Sequence, residues 1–157
     1  MEDCLHSNYI HANSIPQGDG SMTFQDCICF QMGKAVRKVS RAYRDEIAHY
    51  GLTHGQFFML VAVMEEEGLL PSELAEKVAQ DRATTTGLLD RLEKDGWIER
   101  KTDKQDRRSL RIFLTHHARK HRKSIMKLFE ETNRKFIDRF TPQEWVQMQS
   151  FLSRLES

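Results

Sequence analysis

Two neighbouring stretches of this 157-residue chain concentrate side chains suited to gripping an anionic, hydrogen-bonding surface. Arg82, Ala83, Thr84, Thr86, Gly87 and Arg91 form the first; Arg100, Lys101, Lys104, Arg107, Arg108 and Arg111 form the second. Guanidinium groups make forked bonds to phosphate or a guanine edge, short hydroxyls reach phosphates and bases, and an alanine methyl packs on a thymine methyl. None of this breaks a covalent bond. The sequence shows no glycine-rich phosphate loop, no nucleophile elbow and no His-Glu-x-x-His run, and Cys29 with His54 lacks an orienting third group. The chain therefore reads as a binding protein, neither an enzyme nor a carrier of a cofactor.

The elements that position these residues are marked by caps and periodicity. Asp81 is a good N-cap for a helix over 82–94, and Gly96 stops it. Within it Thr85, Leu88, Leu89 and Leu92 follow the spacing of a core-facing stripe, leaving Arg82, Ala83, Thr84, Thr86, Gly87 and Arg91 outward or at the N-terminal end. Ahead of it, Pro71-Ser72-Glu73 opens a short helix with Leu74, Ala75 and Val78 as its inner face. Behind it the period changes: 97–100 and 110–114 read as strands, with Leu110, Ile112 and Leu114 on one side and Lys101 to Ser109 as the hairpin loop. Two helices, a tight turn and a basic hairpin make a winged helix-turn-helix. Its second helix suits a major groove, and an arginine at the hairpin tip suits a narrow minor groove. The same residues would also fit a charged, solvated surface or a protein-interaction module.

The rest of the chain is helical. Apolar residues from Ile28 to Ile47 step by three and four, so 23–50 is predicted as one amphipathic helix closed by Gly51. Thr53-His54-Gly55-Gln56 is a capping box opening a second helix. Thr115 caps a basic helix running to about Phe140, and Pro142 starts the last one. The fold class is mainly α with a small β-hairpin. Residues 1–22 read as a flexible tail, 23–52 as an N-terminal dimerisation helix, 53–115 as the winged domain and 116–157 as C-terminal dimerisation helices.

Composition sets the outer bounds. The net charge is +1, so any nucleic-acid surface must come from local charge placement. No apolar run approaches the ~20 residues that span a bilayer, and the N-terminus lacks a basic-then-apolar signal layout, so no membrane partner is expected. Three cysteines, Cys4, Cys27 and Cys29, argue for a reducing cytoplasm over a disulfide framework.

The run from Ser72 to Lys77 through Gly96-Trp97-Ile98-Glu99-Arg100 resembles the MarR family of bacterial regulators. Residues 106–115, Asp-Arg-Arg-Ser-Leu-Arg-Ile-Phe-Leu-Thr, are similar to that family's wing signature. The resemblance implies a homodimer on pseudo-palindromic operator DNA, usually a repressor, released by a ligand or by thiol oxidation. It implies DNA contacts from Arg82, Thr84, Thr86 and Arg91. Arg108 takes the place of the wing arginine, with Asp106 as the partner holding its guanidinium. Gly87 departs from the family, which often has a basic residue there. Apolar stripes on the first and last helices (Trp145, Met148, Leu152 and Leu155 on the latter) fit pairing that spaces two recognition helices near one DNA turn, ~34 Å.

Three signals stand as alternatives. A small anionic or aromatic effector would use Arg37, Arg41, His49 or His54 as polar contacts, with Phe57 and Phe58 as apolar lining. Cys29 with Tyr43 is similar to the family's peroxide-sensing branch, although Gly33 and His54 stand where that branch has tyrosines. As a bare residue, Cys29 on an apolar helix face reads as a small packed hydrophobe. Cys27 and Cys29 point ~200° apart on a helix, which disfavours a disulfide between them. His117 and His121, with His116 beside them, have zinc-ligand spacing but no completing ligand, so no metal is expected.

Overall fold

The computed structural model describes residues 23–103 and 106–156. The tail 1–22, Cys4 and Lys104 lie outside the described residues. The chain divides into two units between Lys38 and Val39.

In the first unit a short 3-10 turn, Phe24–Asp26, precedes the helix α1, Ile28–Ile47, which continues into the second unit. The Thr23 N–H and hydroxyl donate to the Asp26 carboxylate at 2.9 and 2.6 Å, and Phe24 tilts against Phe30 with ring centroids 4.4 Å apart. The single helix expected over 23–50 is thus three pieces, because the Thr23–Asp26 bonds tighten its start and Ala48–Tyr50 narrows to a 3-10 turn ending at left-handed Gly51.

The second unit holds the core. After α1 come α2 (His54–Glu65), α3 (Pro71–Lys77), α4 (Arg82–Lys94), the strands β1 (Ile98–Thr102) and β2 (Leu110–Leu114), α5 (His116–Ile137) and α6 (Pro142–Glu156). The capping box forms as expected: Thr53 Oγ1 accepts from the Gln56 N–H at 3.3 Å, and Gln56 Oε1 accepts from the Thr53 N–H at 3.0 Å. α2 is buried almost all round, from Phe57 and Met59 to Met64, and forms the centre on which Leu74, Leu89, Leu92, Ile98, Ile112, Leu114 and Ile125 pack. A helix surrounded by other elements needs no polar face, which explains its unbroken apolar run.

The hairpin is antiparallel, with Ile98 opposite Leu114 and Thr102 opposite Leu110. Its first strand is Ile98–Thr102, so the loop is only 103–109; ladder pairing carries Lys101 and Thr102 into the strand. The expected inward alternation holds for Ile112 and Leu114 but not for Leu110, which is 44% exposed where the hairpin leaves the core. On the other edge of β2, Ile112 donates to the Leu69 carbonyl at 3.0 Å and accepts from the Gly68 N–H at 2.7 Å, a third short pairing. α5 ends at Ile137, three residues short of Phe140.

Two backbone turns frame α4. At its end Gly96 is left-handed (φ 75°), with Trp97 donating to Leu92 O at 2.8 Å and Gly96 to Glu93 O at 3.0 Å, a Schellman stop. The turn between α3 and α4 has the same bonding, Gln80 to Ala75 O and Ala79 to Glu76 O, but places Ala79 at φ 50°. An L side chain there costs about 1 kcal/mol. Ala79→Gly is expected to raise stability by up to ~1 kcal/mol in urea unfolding, less whatever entropy glycine adds to the unfolded chain; a fall in stability would show the turn is unstrained.

Thr85 is 1% exposed on the inner face of α4, and its hydroxyl has no hydrogen-bond partner among the described residues. An unsatisfied buried hydroxyl costs about 1–3 kcal/mol, so Thr85→Val, nearly isosteric, is expected to stabilise the fold by ~1 kcal/mol in the same measurement. A destabilised valine variant would reveal a hidden partner for that hydroxyl.

Candidate nucleic-acid interface

α4 starts at Arg82 because Asp81 closes its N-terminus: Oδ1 accepts from the Thr84 N–H at 2.8 Å and Oδ2 from the Thr84 hydroxyl at 2.6 Å. Those bonds, the hydroxyl first, hold the Asp81 carboxyl below the usual carboxylate range. The Thr86 hydroxyl donates in turn to the Arg82 carbonyl at 2.8 Å. Both threonines therefore have their hydroxyl protons committed within the helix and offer an outside group acceptor lone pairs only. Arg82, Ala83 and Arg91 are exposed, and neither guanidinium has a partner among the described residues. At Gly87 an added Cβ would meet nothing within 4 Å, so packing inside the chain does not explain the glycine.

The hairpin cations divide into two groups. Arg100 pairs with Glu93 and with Asp90 (2.7 Å), Lys101 with Glu99 (2.8 Å), and Arg111 with Asp103 and the Gly68 carbonyl. The crowd of basic residues expected from the sequence is thus largely neutralised along the strands. Arg107 and Arg108, both exposed at the tip, have no side-chain partner among the described residues. Asp106 does not hold the Arg108 guanidinium. Its carboxylate accepts from the Ser109 hydroxyl at 2.7 Å and the Arg108 backbone N–H at 3.0 Å, bonds that keep it ionised below its ordinary range and fold the tip. Turn geometry takes the carboxylate and leaves the arginine free.

These parts meet in one groove. Arg82 and Thr86 of α4, Arg108 and Leu110 of the wing, and Pro71 and Ser72 of α3 line an open space of about 460 Å³. Thr84 lies elsewhere: it lines a second cavity of about 510 Å³, with Leu88 from α4, His54, Phe58 and Ala62 from α2, and Phe129 from α5.

The residues expected to contact an effector scatter. Of the expected polar contacts His54 lines that second cavity; Arg41 and His49 do not, and His49 lies against Tyr50 with ring centroids 3.9 Å apart. Phe57 is fully buried in the core, while its neighbour Phe58 supplies the cavity wall, because the two rings leave the helix in different directions. Arg37, in the first unit, is exposed with its guanidinium near Gly33. Burial, then the nearby Arg44 charge, lowers the His54 pKa from 6.5. The folded state thus resists protonation, and stability is lost as pH falls below 6.5, where the unfolded chain binds the proton first. Between about pH 7.5 and 5.5 the parent protein should lose more stability than His54→Gln; equal losses would refute this.

Tyr43 is 1% exposed among Phe57, Phe58 and Phe129, donates weakly to the Phe129 carbonyl at 3.4 Å, and has its pKa raised to about 12 by burial. Its hydroxyl is engaged within the core. Cys29, expected to pack, is exposed, and Cys27 and Cys29 are free thiols. The His117 and His121 rings lie 4.7 Å apart and His117 tilts against Trp97 with centroids 4.6 Å apart; no cluster of three metal-ligating side chains occurs among the described residues.

Residues 52–110, which include the turn, α4 and most of the hairpin, match the model of the MarR family. Over that segment the chain is similar to MarR-family proteins. Over 101 residues it is 38% identical to the HTH-type transcriptional regulator TtmR of Methylorubrum extorquens, covering 64% of this chain and 52% of that protein. Over 94 residues it is 30% identical to the organic hydroperoxide resistance transcriptional regulator of Bacillus subtilis, covering 60% and 64%. The chain thus spans between about half and two thirds of the length of these relatives. A probable transcriptional regulator from Pseudomonas aeruginosa has the same fold, with 28% identity, a TM-score of 0.75, and 85% of this chain and 99% of that one covered. MarR-family proteins are DNA-binding regulators, not enzymes. No helix among the described residues is long and apolar enough to cross a membrane.

Two features of this groove escaped the sequence. Leu110 reads as core by alternation, yet faces the groove. Ser72, four residues after Gly68, reads only as a helix start, and just the short pairing of 68–69 with β2 brings it beside Arg108.

Proposed function

We propose that this chain is a cytoplasmic, homodimeric transcriptional repressor that binds pseudo-palindromic operator DNA. α4 enters the major groove with Arg82, Ala83, Thr86, Gly87 and Arg91 toward the bases and phosphates, and the tip residues Arg107 and Arg108 reach the minor groove. One observation carries the reading: Arg82 and Arg108, without a side-chain partner among the described residues, line the same groove as Thr86, while the cations of the hairpin strands are tied to carboxylates. Thr84 belongs to this surface only as part of the cap that starts the helix. Dimerisation is supported by apolar side chains left exposed on the terminal elements: Phe24, Ile28 and Val36 in the first unit, and Val146, Phe151 and Leu155 on α6. A small molecule in the cavity walled by α2, α4 and α5 would release DNA by acting on α4 directly.

The test is salt dependence of binding to DNA from the promoter of the protein's own gene. Each phosphate neutralised adds ~0.9 to the negative slope of log affinity against log salt, so a slope steeper than about −4 is expected for a dimer. A flat dependence would leave a protein-interaction module in its place.

Exposure of Cys29, together with the 30% identity to a regulator of organic hydroperoxide resistance, supports a second signal. Its thiolate would attack the peroxide O–O bond, leaving a sulfenic acid and releasing the alcohol. If Cys29→Ser still leaves DNA on peroxide treatment, that reading fails.

A further inference from the structure

The cavity beside α4 differs from an anion site in its charges. Among the described residues its one lysine or arginine is Lys77, whose ammonium lies 3.4 Å from the Glu65 carboxylate and 3.3 Å from that of Glu66. His54 also lines it, with its pKa lowered first by desolvation and then by the Arg44 charge, which disfavours the cationic imidazolium. Arg44 itself is exposed to solvent and does not line the cavity. The wall residue Thr84 donates its hydroxyl hydrogen bond to ionised Asp81, so that oxygen has only acceptor lone pairs left for a ligand. Between these residues the lining is aromatic and aliphatic, with Phe58, Phe129 and Leu88. About 510 Å³ falls within the range of small-molecule pockets.

Resting on the effector reading above, we propose that this cavity selects an uncharged, flat aromatic molecule carrying a hydrogen-bond donor, and rejects the matching carboxylate. The rings of Phe58, Phe129 and His54 take the aromatic face. The donor meets an acceptor at Thr84, on the helix that reads DNA. A carboxylate would lose hydration, find the lining ammonium of Lys77 already paired, and lie near the Glu65 carboxylate.

The decisive pair of probes is 2-naphthamide and 2-naphthoate, of equal size and shape, titrated into the full-length protein by calorimetry in the absence of DNA. The amide is expected to bind at least about tenfold more tightly, a difference of ~1.4 kcal/mol. In the Glu65→Gln/Glu66→Gln variant, Lys77 is released to accept an anion and the preference should shrink several-fold. Phe58→Ala should weaken the amide, with circular dichroism confirming that the variant is folded. Tighter binding of the naphthoate to the parent protein, an unchanged preference in the double variant, or no binding of either probe at millimolar concentration would each overturn the proposal. Because these titrations contain no DNA, such a failure leaves the DNA-binding reading standing. Loss of the salt-dependent DNA affinity would remove that reading whatever the probes do.

Discussion

The Arg82→Ala/Arg108→Ala double variant is expected to lose on the order of 100-fold in affinity for its own promoter at ~0.15 M salt, since each specific arginine contact is worth ~1–3 kcal/mol. The two side chains come from different elements, α4 and the wing, yet line one groove, and neither guanidinium is engaged elsewhere among the described residues. Their removal therefore subtracts contacts to a partner without breaking contacts inside the chain. Fluorescence anisotropy on labelled promoter DNA checks this, with unfolding in urea as the control: stability should move by less than ~0.5 kcal/mol. Whichever arginine meets phosphate also lowers the salt slope by about 1, whereas a base contact relaxes sequence preference instead. Arg100→Ala supplies the contrast. That guanidinium bridges Asp90 and Glu93, so its loss should act on stability before affinity. A double variant that binds within about twofold of the parent would remove this groove as the DNA surface.

Phe57→Ala should destabilise the protein by about 3–5 kcal/mol, the usual cost of deleting a buried ring and leaving its cavity. Phe57 is 0% exposed, 5.7 Å from the Tyr43 ring and 5.4 Å from Phe58, on the helix that every core element surrounds. The measurement is the shift in urea midpoint at constant slope. If Phe57 were an effector contact, alanine would spare stability and weaken ligand binding instead. A loss below ~1 kcal/mol would count against its place in the core. The neighbouring Phe58→Ala, half-buried at the cavity wall, should be the milder of the two in unfolding.

Much of the architecture is legible because local chemistry specifies it. Asp81 and Thr84 start α4 at Arg82, and Gly96 stops it, since a side-chain acceptor satisfies free helix N–H groups and glycine takes the left-handed turn cheaply. Thr53 with Gln56, Thr115 and Pro142 mark helix starts by the same logic. The stripe Thr85, Leu89 and Leu92 turns inward as its spacing requires, with Leu88 only half-buried at the cavity. Strand ends were less legible: Lys101 and Thr102 are polar yet paired, because a ladder bond needs only backbone.

The sequence by itself determined which residues form the helix-turn-helix and wing, since caps, period and turn residues act within a few positions of one another. Only the tertiary structure decided which charges are free. Arg100, Lys101, Arg107, Arg108 and Arg111 are equal cations along the chain. Folding brings Asp90 and Glu93 to the first, the wing turn puts Asp103 beside the last, and Asp106 accepts from the Arg108 backbone N–H and the Ser109 hydroxyl in place of the Arg108 guanidinium. It also separated Thr84 from Thr86 and Phe58 from Phe57. A difference of one or two residues is a large rotation about a helix axis, and only the packed neighbours reveal which side meets core, cavity or open groove.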